Sequence, residues 1–152
     1  MTYLISIIVA IALTGTLFFL YSSSLSERTF VVQNNIIKAE NHFLVLKKGF
    51  DMNFMYTNRA LDISNWEEEI SRYINIPDIG NDYELSYNEN INGRFFCLLK
   101  RNEGMDNVNF ETYESFALKN EYAYIGQECG IIENHNFNNN YSDVAVTFYV
   151  GR

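Results

Sequence analysis

The sequence predicts an α+β protein: a long amino-terminal helix, apolar at first and amphipathic afterwards, followed by a small antiparallel sheet with two short helices. Three observations lead to this class. Residues 4–20 are almost wholly apolar, a later stretch repeats apolar residues at helical spacing, and the second half alternates as strands do. At 152 residues, the chain has room for one core beyond the apolar opening.

The chain opens with MTYLISIIVAIALTGTLFFLYSSS, and residues 2–25 carry no charged side chain. A helix over residues 3–21 would be roughly 28 Å long, which is close to the hydrocarbon thickness of a bilayer. A tyrosine at each end suits the headgroup level. We therefore predict a membrane anchor over residues 1–25 and a separate domain over residues 26–152. The side chains expected in or at the bilayer are Tyr3, Leu4, Ile8, Leu13, Phe18, Phe19 and Tyr21.

Two other interpretations of the opening segment are open. A cleaved signal peptide would use Ser22 and Ser24 as the small residues before the cut. Against it, the apolar run is longer than the roughly 7 to 15 residues of a signal core, and no Lys or Arg precedes it. A helix buried in a soluble domain would leave no face for water along so long an apolar run. The anchor is the interpretation that the sequence favours.

The apolar pattern continues past the serines as one helical stripe. Its members recur at spacings of 4, 3, 4, 3 and 4, which places them on one helix face: Val32, Ile36, Ala39, Phe43, Leu46 and Phe50. We predict that this amphipathic helix packs on its own domain, and not on a partner helix, and that it stops at Gly49 after two lysines. Its exposed side, over residues 27–48, is the predicted surface for partner subunits.

A short helix is predicted in DISNWEEEISRYINIPDIG. Ser64 and Glu67 have the spacing of a capping box, in which each side chain satisfies the other's backbone donor, and Pro77 ends the segment. Glutamates 67–69 would lie in the first turn, where the helix dipole favours negative charge. We interpret them as solvated residues and not as a metal or acid–base site.

The second half of the chain predicts a β-hairpin, a helix and two more strands. Residues 83–87 alternate as a strand, residues 88–93 have turn composition, and residues 94–100 form a buried strand. Residues 110–119 return to helical spacing. The segments EYAYIGQECG and DVAVTFYV supply the last two strands, and the Asn-rich run at 134–140 is predicted to be a surface loop.

The two cysteines, Cys97 and Cys129, both lie outside the predicted anchor. A pair in a chain without metal-ligand spacing suggests one disulfide and an oxidising compartment. Two buried free thiols are the alternative. The positive-inside rule gives little orientation, because the first basic residues after the anchor are accompanied by acidic ones. The cysteines therefore favour a single-pass protein with a short amino terminus inside and its carboxy-terminal domain outside, in an oxidising compartment such as a periplasm.

Motifs that carry chemistry are few. His42 and His135 have ligand spacing neither to each other nor to a cysteine, and no glycine-rich phosphate loop or nucleophile turn occurs. We therefore predict no catalytic, cofactor-binding or metal-binding residue, and no enzyme activity. The net charge of -8, without a basic patch, argues against a nucleic-acid partner.

The layout of an apolar helix that runs into an amphipathic one, then a small α+β head with a late cysteine pair, resembles the type IV pilin superfamily. The chain has Ile5 where a mature pilin usually has glutamate, so an ordinary major pilin is not expected. A nearer resemblance is to the PilM family of type IVb (thin) pilus systems. Four segments carry it in order: MTYLISIIVAIALTGTLFFLYSSS, DISNWEEEISRYINIP, INGRFFCLLK and YAYIGQECGII. This resemblance implies an inner-membrane protein that acts in pilus assembly by protein contacts, and it implies no site residues.

We therefore expect an accessory, scaffolding subunit of type IVb pilus biogenesis or of a related secretion machine. Its expected partners are the lipid bilayer and other pilus-assembly proteins, and self-association is left open. One alternative is a minor type IV pilin incorporated in the filament. Another is a secreted binding domain released by signal cleavage near Ser24, whose aromatic head and Asn-rich loop contact a receptor or glycan.

Overall fold

The computed structural model describes residues 2–80, 82–101, 107–131 and 143–151, and of residues 2–26 and 107–108 it describes the backbone alone. Helices and strands follow one another in these ranges as α1 (Thr2–Thr57), α2 (Trp66–Ser71), β1 (Glu84–Asn90), β2 (Gly93–Lys100), α3 (Asn107–Lys119), β3 (Ala123–Gly126) and β4 (Val144–Gly151). The predicted class, a long helix followed by a small antiparallel sheet with two short helices, is confirmed. The Asn-rich run at 134–140 lies outside the described residues.

The four strands form an antiparallel sheet in the order β1-β2-β4-β3. Strands β1 and β2 form the predicted hairpin, whose two-residue turn lies between the paired residues Asn90 and Gly93. The predicted turn over 88–93 is wrong at its start, because residues 88–90 continue the strand and pair with β2. Gly93 has a φ of 130°, which side-chain-bearing residues rarely adopt. A glycine at the end of the turn therefore lets both strands run up to it.

The predicted stripe of α1 forms one wall of the core. Its first member, Val32, is half-buried, and the other five are buried: Ile36, Ala39, Phe43, Leu46 and Phe50. The ring of Phe43 stacks on Phe116 of α3 and on Phe148 of β4, with ring centroids 5.2 and 5.3 Å apart. Helices α1 and α3 therefore share one face of the sheet, and the stripe packs on its own domain as predicted.

Helix α1 does not stop at Gly49, as the sequence predicted, but continues to Thr57. A glycine inside a helix costs about 1 kcal/mol relative to alanine, so its position needs a packing reason. A Cβ at Gly49 would lie 2.5 Å from Cγ1 of Ile70 and 2.8 Å from Cδ1 of Ile74. The glycine therefore allows α2 and the turn after it to approach the α1 backbone. Local sequence does not reveal such a contact.

Helix α2 begins without the predicted capping box. Its N-cap residue is Asn65, and no side chain there makes a capping hydrogen bond. Ser64 instead donates its backbone N–H to Oδ1 of Asp62, at 2.8 Å. An aspartate two residues earlier thus organises the turn before α2, which removes Ser64 from the position that a capping box requires.

The third glutamate of the α2 first turn is not solvated, which corrects the interpretation of residues 67–69 as uniformly exposed. Glu69 is 8% exposed. One carboxylate oxygen accepts a hydrogen bond from Arg59 at 2.8 Å, and the other accepts one from the backbone N–H of Asp62 at 2.9 Å. The buried carboxylate therefore fixes the segment between α1 and α2, while Glu67 and Glu68 are exposed.

A buried tyrosine hydroxyl lies in the core without a partner among the described residues. Tyr87 of β1 is 2% exposed, and its ring packs against Phe96 and Phe50, with centroids 5.2 and 6.2 Å apart. Burial raises the pKa of Tyr87 to about 12. The folded state therefore holds this phenol in its neutral form well above the pH at which the unfolded chain releases the proton.

We expect Tyr87→Phe to stabilise the protein by about 1 kcal/mol at pH 7, because it removes a buried hydroxyl without a hydrogen bond. The raised pKa makes the wild-type protein lose stability as the pH rises from about 10 to about 12, since the unfolded tyrosine ionises first. The advantage of the variant should therefore grow at pH 11. Urea unfolding at both pH values measures it, and exposed Tyr56→Phe is the matched control. A destabilised Tyr87→Phe would show that the hydroxyl has a partner.

Candidate functional site: the first helix and the disulfide-linked face

Helix α1 is continuous through the predicted anchor and the amphipathic segment. Its 56 residues correspond to a length of about 84 Å at the rise of an α-helix. The backbone of residues 2–26 is helical. The side chains predicted to contact lipid lie outside the described residues: Tyr3, Leu4, Ile8, Leu13, Phe18, Phe19 and Tyr21. Where side chains are described, no helix combines the length and the apolar character that a membrane crossing needs.

The part of α1 over residues 27–57, here called the shaft, is held to the rest of the domain, here called the head (residues 58–152). Near its beginning, Arg28 forms an ion pair with Glu111 of α3, and both side chains are about half exposed. Further along, the buried stripe covers the sheet. The ion pair contributes little by itself because water screens it. The apolar contacts therefore hold the shaft in place.

The opposite side of the shaft exposes large apolar side chains to solvent. Four of them lie along one line, here called the outer stripe, and their exposed fractions are 65, 56, 50 and 69%: Phe30, Ile37, Leu44 and Met55. Successive members are 7, 7 and 11 residues apart, which returns to the same side of a helix each time. The sequence prediction placed a partner surface over residues 27–48 but did not identify the apolar side chains on it. The signal that the prediction missed was the spacing of seven residues between Phe30, Ile37 and Leu44.

A shallow depression lies at the carboxyl-terminal end of the outer stripe. Its volume is about 320 Å³, and it is lined by Leu44, Met52, Met55 and the stems of Lys47 and Lys48, with Asp51 at its rim. Lys47 and Asp51 form an ion pair at 2.7 Å across one turn of the helix. The depression is therefore an apolar hollow with charged edges, of the size that one large side chain of a partner would fill.

Charge divides sharply between shaft and head. The shaft has four Lys or Arg residues against three Asp or Glu residues, so it is nearly neutral. The head has seven basic against sixteen acidic residues and accounts for the acidity of the whole chain. Two heads brought together would therefore repel one another, whereas two shafts would not.

The predicted disulfide is present. Cys97 of β2 and Cys129, which follows β3, are bonded, with their Cα atoms 5.7 Å apart. Cys97 lies on the sheet face that the helices do not cover, where it packs with Phe95, Ala145 and Tyr149. The alternative of two free thiols is wrong. The bond fastens the segment after β3 across this second face of the sheet.

Hydrogen bonds reinforce the disulfide at Gly130. Its N–H donates to Oγ1 of Thr147 at 2.9 Å. Its carbonyl accepts from Nδ2 of Asn90 at 2.8 Å and from the hydroxyl of Tyr149 at 3.0 Å. Gly130 has a φ of 79°, and a Cβ there would lie 2.6 Å from Cζ of Phe95. This residue must therefore be glycine, and it determines where the chain crosses the sheet.

A tyrosine-lined groove opens at the end of the sheet. Its volume is about 820 Å³, and its aromatic wall consists of Tyr122, Tyr124 and Tyr149, with the fully exposed Ile91 beside them. Lys47 and Glu121 provide one charge of each sign at its rim. Flat aromatic walls of this kind can contact many ligands. They define no reaction, because no nucleophile with an adjacent base accompanies them among the lining residues.

Of the two histidines, the structure describes His42 alone. His42 is half-buried on the shaft, and burial lowers its pKa. His135 lies outside the described residues. In the ranges that the structure describes, no three His, Cys, Asp or Glu side chains could together hold a metal ion. Among the described residues, the features that stand out are the outer stripe, the depression beside it and the tyrosine-lined groove.

Comparison of the chain with protein-family models, with curated proteins and with solved structures finds no match.

Proposed function

We propose that the protein is an inner-membrane-anchored accessory subunit of a type IVb pilus or a related secretion machine, and that it acts by protein contacts. The observation that supports this proposal best is the continuity of α1. One helix joins an apolar, uncharged amino-terminal segment to the shaft on which the folded head is built. A head on such a helix would be confined near the bilayer surface, which raises its effective concentration toward other membrane subunits.

The disulfide supports the periplasmic side for the head. Disulfides persist in oxidising compartments and are rare in the cytosol. The Cys97–Cys129 bond, with Gly130 hydrogen-bonded beside it, fastens the covering segment to the sheet. A head exported to the periplasm would form this bond during folding. The exposed outer stripe and the tyrosine-lined groove are then available to other subunits.

We expect Leu13→Arg to abolish membrane retention. An arginine at the centre of the apolar segment costs roughly 3 kcal/mol on insertion scales. The measurement is fractionation of cells that produce the full chain, followed by protease treatment of spheroplasts to locate the head. Leu118→Arg is the matched control, because Leu118 is 61% exposed on α3 and the same substitution there should leave retention unchanged. Equal retention of both variants would contradict the anchor.

A minor type IV pilin is the second candidate, and a specific observation favours it. The carboxyl-terminal half of a single long helix packs on an antiparallel sheet, while its amino-terminal segment is apolar. This is also the layout of the pilin superfamily that the sequence resembles. A filament subunit would leave the membrane and co-purify with sheared pili, with a processed and methylated amino terminus. An accessory subunit would remain in the membrane fraction, and mass spectrometry of the amino terminus distinguishes the two.

The third alternative, a secreted binding domain, has the tyrosine-lined groove as its candidate surface. It requires that the mature protein begin near Ser24. Amino-terminal sequencing of the native protein therefore tests all three functions in one measurement, because each predicts a different first residue or modification.

A further inference from the structure

We propose that the outer stripe pairs the shaft with that of a second copy of this chain, in parallel, as a two-stranded coiled coil. The parallel orientation rests on the proposed function, because two copies anchored in one bilayer must point the same way. The proposal begins from the residues between the apolar ones. Asn34 and Asn41 follow Phe30 and Ile37 by four residues, and the next apolar residue follows each asparagine by three. An alternation of four and three is the seam spacing of a coiled coil. The apolar and amide side chains keep it from Phe30 to Leu44, and its next two positions are the charged Lys48 and Asp51, before Met55.

The composition of this seam fits a second copy better than an unrelated helix. Asn34 and Asn41 are both exposed, so their amides are free to meet a partner helix. An amide both donates and accepts hydrogen bonds, so in a parallel pair each asparagine can bond to its own counterpart. Asparagine at the seam position before an apolar residue fixes register and favours pairs of helices, at some cost in stability. The alternating apolar and amide positions are therefore self-complementary.

The head leaves this side of the helix open. At 100° per residue, the buried residues from Ile36 to Phe50 centre roughly opposite the line from Phe30 to Leu44. A second helix can therefore pack along the outer stripe of the first copy without contacting the head of that copy.

Charge supports the same arrangement. In a pair joined through the outer stripes, the two acidic heads lie on the outer sides, separated by two helices of about 10 Å diameter each. That separation exceeds twice the Debye length of about 8 Å at physiological ionic strength, so the heads scarcely repel. The shafts that meet are nearly neutral. A contact between heads would instead bring together surfaces with an excess of nine negative charges each.

The available area predicts a weak pair in free solution. The stripe from Phe30 to Met55 is about 38 Å long, and a helix contact is about 10 Å wide, which gives about 400 Å² per copy. Stable complexes bury about 800 Å² per partner. The pair therefore needs a raised local concentration, which a shared bilayer supplies. We expect association of the full chain in liposomes and little association at low concentration in detergent.

Disulfide trapping tests the pair. Both native cysteines are already bonded to each other, so a cysteine introduced on the shaft is the one free thiol. Residues that face themselves in a parallel coiled coil come within the 4.4 to 6.8 Å that a disulfide needs between Cα atoms. We expect Asn34→Cys in the full chain, reconstituted in phosphatidylethanolamine–phosphatidylglycerol liposomes, to form a covalent dimer under mild oxidation. The control is Lys38→Cys, exposed one turn further on and outside the seam, which should form about tenfold less.

A second substitution tests whether the trapping depends on the outer stripe. Ile37 is 56% exposed, so Ile37→Glu should leave the fold intact and reduce dimer formation by Asn34→Cys about tenfold. Equal trapping at residues 34 and 38 would overturn the parallel pair. So would a mixture of the two single variants in which Asn34→Cys forms a disulfide only with Asn41→Cys and not with itself. Absence of trapping in protein that remains in the membrane would refute the pair and leave the proposed function standing. Trapping of Asn34→Cys in protein that cells release without a membrane would support the pair and refute the proposed function.

Discussion

Removing the disulfide by Cys97→Ala with Cys129→Ala should lower the free energy of unfolding by about 3 to 4 kcal/mol. The two cysteines are 32 residues apart in sequence, and closing a loop of that size restricts the unfolded chain by about this amount. Cys97 is also fully buried, so its truncation removes packing against Phe95 and Tyr149. Urea unfolding of the head with its shaft, oxidised and reduced, measures the effect in the wild-type protein as well.

The control for this prediction lies in the same segment. The hydrogen bonds of Gly130 to Thr147, Asn90 and Tyr149 do not depend on the sulfur atoms. The double variant should therefore keep the native tyrosine near-ultraviolet circular dichroism at low denaturant, although it unfolds earlier. A change in unfolding free energy below about 1 kcal/mol would mean that the unfolded chain is already restricted where the bond would close it.

Phe96→Ala should cost about 3 to 5 kcal/mol, which is a large part of the stability of an ordinary domain. Phe96 is fully buried on β2. Its ring lies edge-on to Trp66 of α2 at 5.5 Å and beside Tyr87 at 5.2 Å. Truncation would leave a cavity where α2, the hairpin and the sheet meet. Thermal and urea unfolding measure the loss.

Phe54→Ala is the matched control for the core substitution. Phe54 lies on α1 and is 47% exposed, so the same change there should alter the unfolding free energy by about 0.5 kcal/mol or less. Similar losses at residues 54 and 96 would contradict the assignment of the core to the inner face of the sheet.

Helix α1 carries an apolar line on each of two sides. One side is occupied by the head, where Phe43 stacks on Phe116 and Phe148. The other side exposes an apolar line that the domain itself does not use. Exposed apolar lines of this kind mark contact surfaces more often than isolated apolar residues do. The pairing proposed above depends on what covers that second side, whereas the proposed function depends on the amino-terminal segment of α1.

The local repeats in the sequence were sufficient to predict the helices and strands. The spacing of Ile36 to Phe50 identified the buried side of α1, and the change to alternation identified the hairpin strands, because both periods follow from backbone geometry. The cysteine pair was also correctly predicted as a disulfide. The outer stripe was visible in the same residues, but exposure cannot be assigned from sequence until one side is known to be covered.

The sequence by itself determined the class, the long helix, its buried side and the disulfide, because these depend on neighbours within a few turns or on the chemistry of two thiols. Only the tertiary structure decided that Gly49 lies inside a helix beneath Ile70, that Glu69 is buried against Arg59, and that Gly130 is held by Asn90. Each of these joins residues brought together by folding. No local repeat in the sequence reveals such contacts.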